Sequence, residues 1–423
     1  MEETAKAIIA HIEEIARSRG HDIRAMLVGS AARDTWLSGA HDLDIFLGVQ
    51  PDGELEAALE IARLVAPVHV EKYAEHPYVH ARMDGFEVDL VPCYLVDDAS
   101  HLKSAVDRTP FHTRYVSSRI RGREDEVLLL KQFMKGVKVY GSELRVGGFS
   151  GYLSELLILS YGSFEDVLQV ASTWRPGFFL DPEGHGRVKH CEPLVVVDPV
   201  DAGRNVAAAL TLDRMLQFSS AARLFLAKPG IDFFFAPPIT PLTDEQIEIQ
   251  MMARGTMPIL IELAAPDVVE DVLYPQLRKA ESSVKALLER NGFSLLRSDV
   301  CTYGDRASML FEMEVWKLSK ACLRTGPPVW QAEHISRFLA AHKKPLSGPY
   351  ISGGKVMVEE VRRYTEARDL LEAETANLSL GRHLSASIQS GYNIYAGQEL
   401  LAIEDEGFRA FLSEYYQARC PIG

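Results

Sequence analysis

Leu27-Val28-Gly29-Ser30-Ala31-Ala32-Arg33-Asp34-Thr35-Trp36-Leu37-Ser38-Gly39-Ala40-His41-Asp42-Leu43-Asp44-Ile45-Phe46-Leu47 runs from one apolar segment, through a Gly-Ser turn, to a second apolar segment headed by Asp-x-Asp. The pattern predicts a strand over Arg24–Val28, a short helix over Ser30–Leu37 and a second strand over Leu43–Val49. Free N–H groups and the dipole at the start of a helix favour a phosphate. Gly29 would let the backbone approach it closely. Residues two apart on a strand share a face, so Asp42 and Asp44 present two carboxylates together. Unpaired carboxylates at one spot repel, and a cation relieves the repulsion. A solvated strand end is the plainer use of an Asp-x-Asp.

A third carboxylate comes from the next hairpin. Strands are predicted over Val68–Tyr73 and Val79–Met83. Asp84-Gly85 is a two-residue turn, and Phe86 to Val91 reads as a strand ended by Pro92. Phe86, Val88 and Leu90 share one face; Glu87 and Asp89 share the other. Two cations about 3.5–4 Å apart could be bridged by Asp42, Asp44 and one of these two. Alternation alone does not choose between Glu87 and Asp89.

The rest of the chain bounds the setting. It has 423 residues and a formal charge of −14, which argues against a nonspecific nucleic-acid coat. His101 to Arg145 is nevertheless a basic island, with ten Lys/Arg against five Asp/Glu. It suits a nucleotide or RNA backbone, or a solvated helix face. No apolar run is long enough for a membrane span. The five scattered cysteines lack a C-x-x-C pair, which argues against a zinc site or a disulfide framework, and cytoplasmic residence is expected. Amphipathic helices are predicted over residues 3–19 and Leu210–Leu226, with further helices over Leu55–Val65 and Tyr152–Tyr161. Ala236-Pro237-Pro238-Ile239-Thr240-Pro241 is the clearest linker. Beyond it, helices are expected over Thr243–Met252, Val272–Arg290, Leu384–Leu401 and Phe408–Ala418. Ile259–Leu263 and Ser308–Trp316 read as strands. In the second of these, Met309, Phe311 and Met313 face one way and Glu312 and Glu314 the other.

Gly29-Ser30 followed by Asp42-x-Asp44 resembles the signature of the DNA polymerase β-like nucleotidyltransferases. Longer motifs narrow the resemblance. Val88-Asp89-Leu90-Val91-Pro92-Cys93-Tyr94, Ser104-Ala105-Val106-Asp107-Arg108-Thr109-Pro110-Phe111-His112, Gly148-Phe149-Ser150-Gly151-Tyr152-Leu153-Ser154-Glu155 and Arg204-Asn205-Val206-Ala207 are similar to the archaeal (class I) CCA-adding enzymes. The likeness covers nearly the whole chain and is densest from Gly29 to Ala207.

That family implies an α+β multidomain fold: a polymerase β-like nucleotidyltransferase head (1–118), a helical neck (119–236), and an α/β body and tail (242–423). It implies template-independent addition and repair of the 3′-terminal CCA of tRNA from CTP and ATP, with two Mg²⁺ ions. Asp42, Asp44 and Asp89 match the catalytic metal carboxylates; some members have Glu where this chain has Asp42. Gly29, Ser30 and Arg33 match the triphosphate site. His112, Lys131 and Tyr140 match further nucleotide contacts, and Arg204 a residue that helps read the base. The body and tail would grip the acceptor stem and TΨC arm of tRNA. Monomer and homodimer stay open. A poly(A)-type or small-molecule nucleotidyltransferase, or an inactive RNA-binding relative, would share the head.

Overall fold

The computed structural model describes residues 1–39, 42–73, 75–235 and 240–417. Most of the predicted linker, with Cys420, lies outside them. The chain divides into two compact units, one running to Phe235 and the other starting at Thr240.

The first unit opens with helix α1 (Glu2–Ser18), strand β1 (Arg24–Val28), β2 (Asp42–Val49), α2 (Leu55–Val65), β3 (Val70–Tyr73), β4 (Pro77–Met83) and β5 (Phe86–Tyr94). The five strands form one sheet in the order β1-β2-β5-β4-β3. Only the β2–β5 pair is parallel. Asp84 and Gly85 both take positive φ (50° and 85°), the backbone of a type I′ hairpin turn. Alternation along β2 and β5 sends Leu43, Ile45, Leu47, Val88 and Leu90 into a core with α1 and α2. The opposite face carries the acidic residues. β5 runs on through Pro92 to Tyr94. Pro92 lies past the last paired residue of β4 (Val79 with Leu90), so its missing N–H breaks no ladder there.

The short helix expected over Ser30–Leu37 is not formed. A single 3₁₀ turn, Ala31–Arg33, stands in its place. Asp34 adopts the left-handed conformation (φ 54°, ψ 31°) and Thr35 N–H returns to Ser30 O at 3.1 Å, closing the turn. Without a helix there is no macrodipole to aim at a phosphate.

The same unit continues with α3 (Thr109–Ser117), α4 (Glu124–Gly136), α5 (Gly151–Tyr161), α6 (Phe164–Ala171), β6 (Phe178–Leu180), β7 (Leu194–Asp198), β8 (Asp201–Asn205) and α7 (Leu212–Ala227). Side-chain oxygens of Ser150, Ser163 and Thr211 cap α5, α6 and α7. The small sheet β6-β7-β8 was not foreseen; its residues entered the sequence reading only as a motif. The helices pack around Phe133, whose ring lies 5.4–6.0 Å from those of Phe164, Phe218, Phe225, Phe233 and Phe234. Gly136, at the end of α4, lies against the backbone of Phe233 and Phe234 with no room for a methyl group. Gly136→Ala is therefore expected to cost about 1–3 kcal/mol. A chemical-denaturation midpoint equal to wild type would contradict that packing.

The second unit contains α8 (Asp244–Arg254), β9 (Met257–Ala264), α9 (Glu270–Arg290), β10 (Ser294–Tyr303), β11 (Arg306–Val315), β12 (Ala321–Pro328), α10 (Ala332–Ala341), β13 (Ser347–Ser352), β14 (Lys355–Val361), α11 (Ala367–Glu374), α12 (Arg382–Ser390), β15 (Tyr392–Ala396) and α13 (Glu406–Gln417). Its main sheet is ordered β10-β11-β9-β15 and a second sheet β12-β14-β13. The helix expected over Leu384–Leu401 stops at Ser390. Gly391 breaks it (φ 128°), and the β-favouring Tyr392-Asn393-Ile394-Tyr395 pairs with β9 instead. Met309, Phe311 and Met313 face the core as expected. Glu312, on the other face of β11, is also buried, held by Arg254 (2.5 and 3.0 Å), Thr256 (2.7 Å) and Tyr415 (3.1 Å).

Candidate active site

The parallel register of β2 and β5 sets Asp44 beside Asp89 and Asp42 beside Glu87. Parallel neighbours lie about 4.8 Å apart and point their side chains the same way. Asp89 is thus the neighbour of Asp44, and Glu87 that of Asp42. Burial pushes the Asp44 carboxyl up to about 6, and repulsion from Asp89 and Asp42 adds to it, partly offset by Arg33. Burial, with the charges of Asp89 and Asp44, also raises the nearby Tyr78 hydroxyl.

Gly29 follows β1 directly. It has φ +71°, and a Cβ there would overlap Asp44 Oδ2. The glycine is required twice, by its backbone and by the carboxylate beside it. Ser30 sits at the head of the 3₁₀ turn, and its carbonyl accepts from the N–H groups of Arg33 (3.2 Å) and Thr35 (3.1 Å).

One neighbour escaped the sequence reading. His80, paired with Asp89 across β4 and β5, places Nδ1 2.5 Å from Asp89 Oδ1 and Nε2 3.4 Å from Glu87 Oε2. Among the described residues, no three acidic, histidine or cysteine groups already enclose a metal position. The donor set is nonetheless all oxygen at the carboxylates, which suits a hard divalent cation, and the mutual repulsion is the kind such a cation relieves.

A second cluster joins the turn to α4 and α5. Arg33 pairs side-on with the fully buried Glu155, Nε to Oε1 at 3.1 Å and Nη2 to Oε2 at 3.0 Å. Its Nη1 donates to Thr113 Oγ1 at 3.2 Å. Lys131 Nζ donates to Thr35 O (2.7 Å), with Thr35 Oγ1 at 3.3 Å and Glu155 Oε1 at 3.5 Å. Burial lowers the Lys131 ammonium and Glu155 partly restores it. Two cations thus share one carboxylate. Tyr140 joins them at Gly151, where a Cβ would lie 3.1 Å from the Tyr140 oxygen and 3.5 Å from Lys131 Nζ. Burial pushes the Tyr140 hydroxyl up to about 12, with Glu155 and Glu143 adding to it. Thr35 and Glu155 were not singled out from sequence. A glutamate inside the apolar run Leu153–Ile158 was the available signal.

The third cluster surrounds Asp198, buried at the end of β7. His112 Nε2 lies 2.8 Å and Arg204 Nη1 2.7 Å from Asp198 Oδ2. The Tyr152 ring stacks on His112 at 4.0 Å. Burial lowers the His112 imidazole, against the pull of Asp198. Arg204 thus reaches Asp198 as a salt bridge from strand β8. Thr113, bonded to Arg33, is the chain neighbour of His112, so the second and third clusters adjoin.

Three family models match successive parts of the chain: a nucleotidyltransferase domain over residues 9–112, the second domain of tRNA nucleotidyltransferase over 125–235, and the C-terminal domain of CCA-adding enzyme over 254–397. A CCA-adding enzyme of Methanosarcina acetivorans is 44% identical over 98% of this chain and 92% of its own length. The chain belongs to the archaeal CCA-adding enzymes. The CCA-adding enzyme of Methanothermobacter thermautotrophicus is also 44% identical, over 98% of this chain and 93% of its own. That of Haloarcula marismortui is 37% identical over 99% and 94%. Nucleotidyltransferases of this superfamily generally use divalent metal ions. No helix among the described residues is long and apolar enough to cross a membrane.

Proposed function

We propose that this CCA-adding enzyme builds and repairs the 3′ terminus of tRNA by joining CMP, CMP and AMP in turn, from CTP and ATP, with release of pyrophosphate. The observation that carries the chemistry is the pairing of Asp44 with Asp89 beside a glycine turn that leaves no room for a side chain. Asp42, Asp44 and Asp89 would hold two Mg²⁺ ions. Bound there, the ions supply a lowered pKa for the attacking 3′-hydroxyl and neutralise charge on the α-phosphate and the leaving pyrophosphate.

The other residues divide by charge. Arg33 and Lys131 against Glu155 leave one positive charge over, which suits a triphosphate; Gly29 and Ser30 line the approach. Tyr140 borders that cluster, at the sugar or base. Arg204 against Asp198 leaves no net charge, which suits a neutral base met by directed donors. His112 stands between the two. In this reading residues 1–118 form the catalytic head and 119–236 the neck. Residues 242–423 would grip the acceptor stem and TΨC arm in the cytoplasm.

The direct test supplies labelled CTP and ATP to a tRNA lacking CCA, with Mg²⁺ or with chelator, and sequences the ends. C, C, A and then a stop is expected with Mg²⁺, and nothing with chelator. An A-only tail would give the chain a poly(A)-type reaction instead. A second expectation concerns the metal alone: Mg²⁺ raises the melting temperature of chelator-treated protein, and Asp44→Asn loses most of that rise. An equal rise in both would remove Asp44 from the metal site.

A further inference from the structure

We infer that Asp198 is the positioning residue for base choice: it fixes the orientation in which Arg204 presents its donors to the incoming nucleotide. The inference rests on the reading of Arg204 as the base-facing residue given above.

Asp198 is fully buried, and both of its carboxylate oxygens are engaged. Oδ2 faces His112 Nε2 at 2.8 Å and Arg204 Nη1 at 2.7 Å. Oδ1 accepts from Val200 N–H at 3.0 Å, with the Tyr152 hydroxyl at 3.4 Å. Its own carbonyl oxygen lies 3.0 Å from His185 Nε2. The anchor is built from α3, α5, β7, the loop that carries His185 and the turn into β8. By contrast the Arg204 side chain is 36% exposed. One edge of the guanidinium is tied to a carboxylate that cannot swing, and its remaining donors have no partner among the described residues.

That geometry matters because of where the bases differ. The ring nitrogen on the Watson–Crick edge, N3 of cytosine or N1 of adenine, is an acceptor. In uracil and guanine the same position carries a hydrogen. A donor aimed at that point accepts C and A and is opposed by U and G. A guanidinium free to turn could move its donors to a uracil carbonyl and lose the distinction. A donor left facing a donor in a desolvated site is costly, and that is how a polar site rejects a near-isostere. Orientation, and not charge, is what Asp198 contributes, since the ion pair cancels the charge of Arg204.

The test measures kcat/KM for CTP and UTP on a full-length tRNA lacking CCA, for wild type, Asp198→Asn, Arg204→Ala and the double variant. Asp198→Asn is expected to lower the CTP-to-UTP ratio by about tenfold or more, and to add nothing further in the Arg204→Ala background. If Arg204→Ala loosens the ratio and Asp198→Asn leaves it unchanged, Asp198 is only structural and the inference is wrong. If Arg204→Ala itself leaves the ratio unchanged, the base-reading role falls, and the inference with it. Should Asp198→Asn fail to fold, Asp198→Glu decides in the same way, because it keeps the charge and displaces the anchor by one methylene.

Discussion

Asp44→Asn is expected to cut nucleotide incorporation by about 10³-fold or more, equivalent to about 4 kcal/mol of transition-state stabilisation. In chelator, the same protein should melt at or above the wild-type temperature. The two signs follow from one feature. The Asp44 carboxyl is buried beside Asp89 and Asp42 and is pushed up to about 6, from an ordinary 3.8. A folded-state value above the unfolded one means that metal-free wild type loses stability as pH rises through that window. The penalty at neutral pH is of order 1–3 kcal/mol. Asparagine carries no charge and escapes it. A variant that lost activity together with several degrees of melting temperature in chelator would show that Asp44 serves the fold. Near-normal incorporation would remove it from catalysis.

The second large effect lies at Glu155. This carboxylate is fully buried and is shared by Arg33 and Lys131. Glu155→Gln leaves two buried cations without the carboxylate that they share. Breaking a buried pair from one side costs about 3–5 kcal/mol, and the denaturation midpoint should fall accordingly. Lys131→Met, placed in the Glu155→Gln background, should recover part of the loss by removing one of the stranded charges. Additivity of the two substitutions would mean that the three side chains are not coupled. Neither double nor single variant is expected to bind a nucleoside triphosphate as wild type does.

The sequence made the strands of the head legible because alternation is local. Arg24–Val28 and Leu55–Val65 were read to the residue, and the carboxylate faces of β2 and β5 followed from a period of two. What it could not supply was registration between segments far apart in the chain. Glu87 and Asp89 became distinguishable only when β5 was laid beside β2. His80 drew notice only when β4 was laid beside β5, and Glu155 only through Arg33, 122 residues away. The helix over Ser30–Leu37 was overestimated for a related reason. The Thr35 carbonyl accepts from Lys131 and its hydroxyl donates to Glu155, partners far along the chain, and Asp34 turns left-handed to deliver them. Leu384–Leu401 failed as one helix because Gly391 ends it and Tyr392–Ala396 pairs with β9, a strand far back in the chain.

The unequal sharing of carboxylates has a consequence for ionic strength. Two cations on Glu155 leave a positive centre that a polyanion feels at a distance, and mobile ions screen that attraction over a Debye length of about 8 Å in physiological salt. One cation on Asp198 leaves no such field, only donors that act on contact. Added salt should therefore weaken the capture of CTP and ATP alike while leaving the preference between one base and another untouched. If the two clusters serve the triphosphate and the base as proposed, accuracy should hold in brines that slow the enzyme.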